Sequence, residues 1–174
     1  NYGEAENSFV QATRCFEEVG SSQWLAATQN ELGLVYRDQG QWTEALTCFE
    51  AAAEQRRLEG AQDSLGRALN NIGEVLLFQG RLQEAEASFR EALSAMTTWV
   101  YAVDAHLNLG LAQQVAGDLA GARSSFQEAL DLALDIGRRD ILPEVRYRLG
   151  EVLRRLGDEL AALAQFRAGA EVVE

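Results

Sequence analysis

Residues 69–80 read LNNIGEVLLFQG, and forty positions earlier residues 29–40 read QNELGLVYRDQG. Both stretches have apolar residues at helical spacing, and both carry a glycine in the middle. A glycine inside a helix costs about 1 kcal/mol relative to alanine, so its return at a fixed interval asks for a structural reason. The pattern occurs twice more, as residues 106–117, HLNLGLAQQVAG, and residues 146–157, RYRLGEVLRRLG. The central glycines are Gly33, Gly73, Gly110 and Gly150, and each is followed seven residues later by a second one, Gly40, Gly80, Gly117 and Gly157. Twelve residues after the first glycine stands an alanine (Ala45, Ala85, Ala122, Ala162), and four beyond it a phenylalanine (Phe49, Phe89, Phe126, Phe166).

The N-terminal residues NYGEAENSFVQA match the QWTEALTCFEAA and RLQEAEASFREA that follow Gly40 and Gly80, so Ala5, Phe9 and Ala12 form the second half of an earlier copy. The chain therefore divides into a half repeat over 1–20 and four repeats over about 21–60, 61–97, 98–137 and 138–174, within a single 174-residue domain. Self-similarity at such a period is the mark of a solenoid.

In each copy the stretch before the second glycine reads as one helix, here helix A, and the stretch after it as a second, helix B. Leu32, Val35 and Tyr36, like Ile72, Val75 and Leu76, fall three and four residues apart and form one apolar face. The first glycine and the alanine mark a close approach of A to B. The second glycine ends helix A in a left-handed conformation. The phenylalanines are expected to fill space between neighbouring pairs, and stacking of pairs supplies the stability that one pair lacks.

These marks, in this order over essentially the whole chain, resemble the tetratricopeptide repeat family, in the long-repeat form of kinesin light chains, LGN-type adaptors and the arms of MalT-like regulators. The resemblance implies an all-α, right-handed superhelix, an α-solenoid of stacked antiparallel helix pairs, with the A helices lining its concave face. The aromatic residue the family places three positions after the first glycine is present as Tyr36 but replaced by Leu76, Gln113 and Leu153.

Composition excludes other classes. The net charge is −12, with 27 acidic residues against 15 arginines and no lysine. Such a balance disfavours nucleic acid and anionic membranes, whose binding rests on phosphate attraction. No apolar run is long enough to cross a bilayer, so the expectation is a cytoplasmic protein. Cys15 and Cys48 lie in helical patterns without a metal or catalytic motif. His106 is the only histidine and has no nucleophile beside it. The glycines never form a phosphate-cradling loop. The reading is a non-enzyme with no cofactor and no metal.

Function then belongs to the surface. The register projects Asn30, Leu34, Arg37 and Asp38 onto the groove in the first repeat, and Asn70, Asn71, Glu74, Leu77 and Phe78 in the second. The third adds Leu107, Asn108, Leu111 and Gln114, and the fourth Tyr147, Arg148, Glu151, Arg154 and Arg155. Asn71 and Asn108 hold the same place in consecutive repeats, and an amide offers both donor and acceptor to an extended peptide backbone; ordinary polar surface is the alternative. Arg146, Arg148, Arg154 and Arg155 suit a partner's carboxylates, or else bridge to Asp140, Glu144, Glu151 and Asp158. The lysine-and-asparagine set that clamps chaperone C-termini in this family is missing.

The expected function is a scaffold that binds a peptide or a partner protein in the groove. Two alternatives stand beside it: a signal-receiving arm of a larger bacterial regulator, and a self-association domain. The sequence does not start with methionine, Met96 being the only one, and its terminal helices lack polar covering. It reads as a piece of a longer chain, with homodimerisation through the uncapped ends as the alternative.

Overall fold

The computed structural model describes residues 2–171, and they are helical almost throughout. They divide into two compact units, one running up to Thr97 and the other starting at Thr98. The first holds α1 (Tyr2–Val19), α2 (Ser22–Asp38), α3 (Trp42–Glu59), α4 (Gln62–Phe78) and α5 (Leu82–Ala95). The second holds α6 (Trp99–Ala116), α7 (Leu119–Asp135), α8 (Leu142–Arg155) and α9 (Glu159–Ala170). Within each unit every helix packs on the one before it in the chain. Thus α2, α4, α6 and α8 are the A helices, and α3, α5, α7 and α9 are their B partners.

The central glycine is explained by one contact. A Cβ built on Gly73 would lie 2.5 Å from Cε1 of Phe89, and the same clash, at 2.5–2.6 Å, joins Gly33 to Phe49, Gly110 to Phe126 and Gly150 to Phe166. The ring therefore occupies the room of the absent side chain within its own helix pair, a closer role than the filling between pairs expected from sequence. Phe49, Phe89 and Phe126 are fully buried, as are Ala45, Ala85 and Ala122. Phe126 also joins Val103, Leu130, Leu142, Val145 and Leu149 in the core of the second unit.

The second glycine closes each helix A by one repeated device. Gly80 has φ +75°; its N–H donates to the Leu77 carbonyl at 3.0 Å, and the Arg81 N–H to the Leu76 carbonyl at 2.9 Å. This is the Schellman arrangement, in which a left-handed residue lets two late carbonyls of the helix find donors. Gly40, Gly117 and Gly157 repeat it, and so do Gly20, Gly60 and Gly137 at the ends of B helices. The turn therefore returns every 20 residues from Gly20 to Gly80 and from Gly117 to Gly157.

Thr97 stands 20 residues before Gly117 and breaks the series. There the short α5 gives way to an extended Met96, with φ −69° and ψ 127°. Asp63 of α4 holds this segment, accepting from the Thr97 N–H at 2.6 Å and from its hydroxyl at 3.0 Å. The Met96 side chain lies against Gly66, where a Cβ would come within 2.5 Å of its Cγ.

These contacts set the sign of two substitutions. By helix propensity alone Gly73→Ala would gain about 1 kcal/mol, but its Cβ meets the Phe89 ring, so the variant loses about 1–3 kcal/mol and Gly73→Leu loses more. Gly169 in α9 has its nearest atom at 3.5 Å, an ordinary contact; Gly169→Ala gains up to about 1 kcal/mol. Thermal midpoints measured side by side would show the two alanines moving in opposite directions, and a raised midpoint for Gly73→Ala would remove the steric explanation.

Candidate functional site: the helix-A faces

In the first unit α2 and α4 lie side by side, and their projected groove residues are tied to one another. Asn71 Nδ2 donates to Asn30 Oδ1 at 3.0 Å. The Arg37 guanidinium bridges to Glu74 at 2.8 Å and to Asp38 at 3.1 Å. Asn70 Nδ2 donates to the other Glu74 oxygen at 3.1 Å. Asn70, which the register projects as exposed, is buried at 8 % exposure, its amide hydrogen-bonded to the Glu74 carboxylate. Leu34 is half-buried.

The far end of this face carries a pair of rings. Trp42, the first residue of α3, stacks on Phe78, the last of α4, with centroids 5.2 Å apart and planes 19° off parallel. Phe78 remains 67 % exposed. Toward the other end a hollow of about 100 Å³ opens between α2 and α4 over α3, floored by Ala26, Ala52 and Ala68 and edged by Ala27, Asn30, Glu31, Arg56, Ser64 and Arg67. The register does not pick out this hollow, although a signal for it exists. Ala26 and Ala27 stand where the later repeats have Gly66 and Arg67, Val103 and Asp104, Pro143 and Glu144.

The second unit presents α6 and α8. Leu107, projected as exposed, is buried at 7 % and belongs to the core, where it lies with Val145 and Leu149 of α8. Leu111 packs against the same core. Asn108 is half-buried and already engaged. Tyr147 is exposed, with its ring tilted against Phe166 at 5.9 Å.

The arginine cluster splits. Arg148 pairs with Glu144 at 3.5 Å and Arg154 with Glu151 at 3.1 Å. Arg146 donates instead to the Gln165 side-chain amide oxygen, Oε1, at 2.9 Å. Asp140 is taken by Arg138, and Asp158 caps α9 through the Ala161 N–H. The Nε atoms of Arg146 and Arg148 are buried without a hydrogen-bond partner among the described residues. Arg155 is exposed.

The reactive groups are spread apart. Among the described residues no group of three or more His, Cys, Asp or Glu could hold a metal ion, and no helix is long and apolar enough to cross a membrane. Burial, with the Glu44 charge adding, pushes the Cys48 thiol up to about 11, so it stays protonated at neutral pH. Burial lowers the His106 imidazole below its ordinary value, opposed by the Glu128 carboxylate, and His106 Nδ1 is buried without a hydrogen-bond partner among the described residues.

Stacked A–B helix pairs joined by one repeated turn define a helix-pair repeat protein. Two tetratricopeptide-repeat family models match residues 24–98 and 107–171, and the chain belongs to that family. It is 29 % identical over 134 residues to tetratricopeptide repeat protein 17 of Danio rerio, covering 76 % of this chain and 10 % of that protein. It is 31 % identical over 101 residues to the human protein O-mannosyl-transferase TMTC2, covering 58 % of this chain and 11 % of that protein. The chain thus spans about a tenth of the length of both relatives.

Among solved structures it superposes on BtubC (BKLC) from P. vanneervenii with a TM-score of 0.90 at 19 % identity, over 98 % of this chain and 72 % of that one. RapI in its apo form gives 0.87 at 16 % identity, over 96 % of this chain and 47 % of that one. MamA gives 0.73 at 19 %, over 97 % and 91 %. Likeness at this level of identity carries the all-α repeat fold.

His106 supplies a pH prediction. Its folded form prefers the neutral imidazole, so the unfolded chain binds the extra proton first as pH falls below about 6.5. The stabilising effect of keeping it neutral is present above that pH and is lost as pH drops. The thermal midpoint of the wild type should fall more steeply between about pH 7 and pH 5 than that of His106→Gln; equal slopes would remove the burial effect.

Proposed function

We propose that this chain is a non-catalytic protein-interaction scaffold whose helix-A faces, α2 with α4 and α6 with α8, receive a peptide or an extended segment of a partner protein. The observation that carries the reading is the α2–α4 face. It sets amide and ion-pair groups (Asn30, Asn71, Arg37, Glu74) between a small alanine-floored hollow at one end and an exposed ring at the other. An amide row with apolar places beside it is what an extended peptide needs, since main-chain groups are held by amides and side chains by pockets. The Asn30–Asn71 hydrogen bond is replaceable by a peptide group at little net cost, because one hydrogen bond is exchanged for another. On the second unit Asn108, Leu111, Tyr147, Glu151, Arg148 and Arg155 are the corresponding contacts, with the arginines suited to acidic groups.

No constellation for catalysis supports an enzymatic reading, and the acidic balance favours a protein partner over nucleic acid or an anionic bilayer. The test is retention of partners from the source cell by wild type and by an Asn71→Ala/Asn108→Ala variant with unchanged circular dichroism. A protein retained by the wild type and lost, or weakened at least about fivefold, by the variant is the expected result. A partner held equally by both would place the contact elsewhere, and turnover of any substrate abolished by His106→Ala would overturn the non-catalytic reading.

A further inference from the structure

Resting on that reading of the α2–α4 face, we propose the chemistry of its ligand: an extended peptide with one aliphatic side chain and, four to six residues away, one basic side chain. The aliphatic residue is set by the hollow. Its floor is three alanine methyl groups, its rim includes Arg56, Ser64 and Arg67, and its volume is about 100 Å³. That is room for a leucine, isoleucine or valine side chain. The edge is polar, with Asn30 Nδ2 donating to Glu31 at 3.4 Å, so a peptide entering there meets amide groups for its backbone.

The basic residue is set by the other end. Phe78 offers an exposed ring backed by Trp42. An exposed ring face is a site for an arginine or lysine head group. The arginine on this part of the face, Arg37, is committed to Glu74 and Asp38. The wider field agrees, since residues 1–97 hold 15 acidic and 7 basic side chains.

The spacing follows from helix geometry. Ala68 and Phe78 are ten residues apart on α4, about 15 Å at 1.5 Å per residue. An extended chain covers that distance in about four to five residues at 3.3 Å each, and six allows for the depth of the hollow.

The probe is a phage-displayed library of random dodecamers selected against the whole chain. A selected peptide is then fluorescently labelled and titrated by anisotropy. The expected selection is enriched in peptides with Leu, Ile or Val and Arg or Lys four to six positions apart. Ala27→Leu, which fills the hollow from its edge, should weaken the selected peptide more than tenfold. Phe78→Ala, or glutamine in place of the peptide's basic residue, should each weaken it about two- to fivefold. The two changes together should cost little more than either alone, because they remove the same contact. Phe78 is exposed, so its variant keeps the test valid even if Ala27→Leu disturbs packing.

Enriched peptides that bind wild type and both variants equally, or that favour acidic residues, would overturn this assignment and leave the broader peptide-binding reading standing. A library that yields no binder to the wild type would overturn both.

Discussion

The structure depends on a phenylalanine ring lying where a glycine has no side chain. In all four pairs the ring of helix B fills the space above the middle of helix A. The cost in helix propensity, about 1 kcal/mol per glycine, is small beside the roughly 3–5 kcal/mol lost when a buried phenylalanine is removed. Ring and glycine together fix how near the two helices approach and which residues of helix A face inward. Ile72, Val75 and Leu76 become core, while Asn71 and Glu74, on the same helix, stay at the surface between adjacent A helices. The same register in α6 sends Leu109 and Ala112 inward and leaves Asn108 at the edge.

The polar side chains of the α2–α4 face are thereby placed within reach of one another across the seam. Asn30 with Asn71, Arg37 with Glu74 and Trp42 with Phe78 join successive helix pairs at three levels. Partly exposed contacts of this kind add little stability, on the order of 0–1 kcal/mol for an ion pair. Their effect is to hold orientation: Glu74, gripped by both Arg37 and Asn70, has one place to be, and the residues beside it present a defined surface.

Much of this was legible in the residues because local rules and tertiary packing agree at the positions that repeat. The glycine, alanine and phenylalanine spacing gave the helix pairs, and their burial follows from contacts inside one pair. Positions that depend on the next pair were harder to read. Asn70 and Leu107 share one register position that looks outward on an isolated helix, yet both are buried, the first hydrogen-bonded to the Glu74 carboxylate and the second in the core it shares with α8. The hollow was missed for a related reason. Ala26, Ala52 and Ala68 come from three different helices and form a space only when those helices stack. The turns at Gly20, Gly60 and Gly137 could have been found, since they fall midway between the glycines the repeat made obvious.

The 20-residue return of one turn has a consequence for how such a chain acquires its structure. With each helix packed on the one just before it within its unit, contacts join residues that are near in sequence, and the loop-closure entropy that slows sheet proteins is largely avoided. Folding of this kind can begin at any glycine-turned hairpin and spread to its neighbours. Mechanical load along one unit would meet the reverse process, with helices peeling off in sequence.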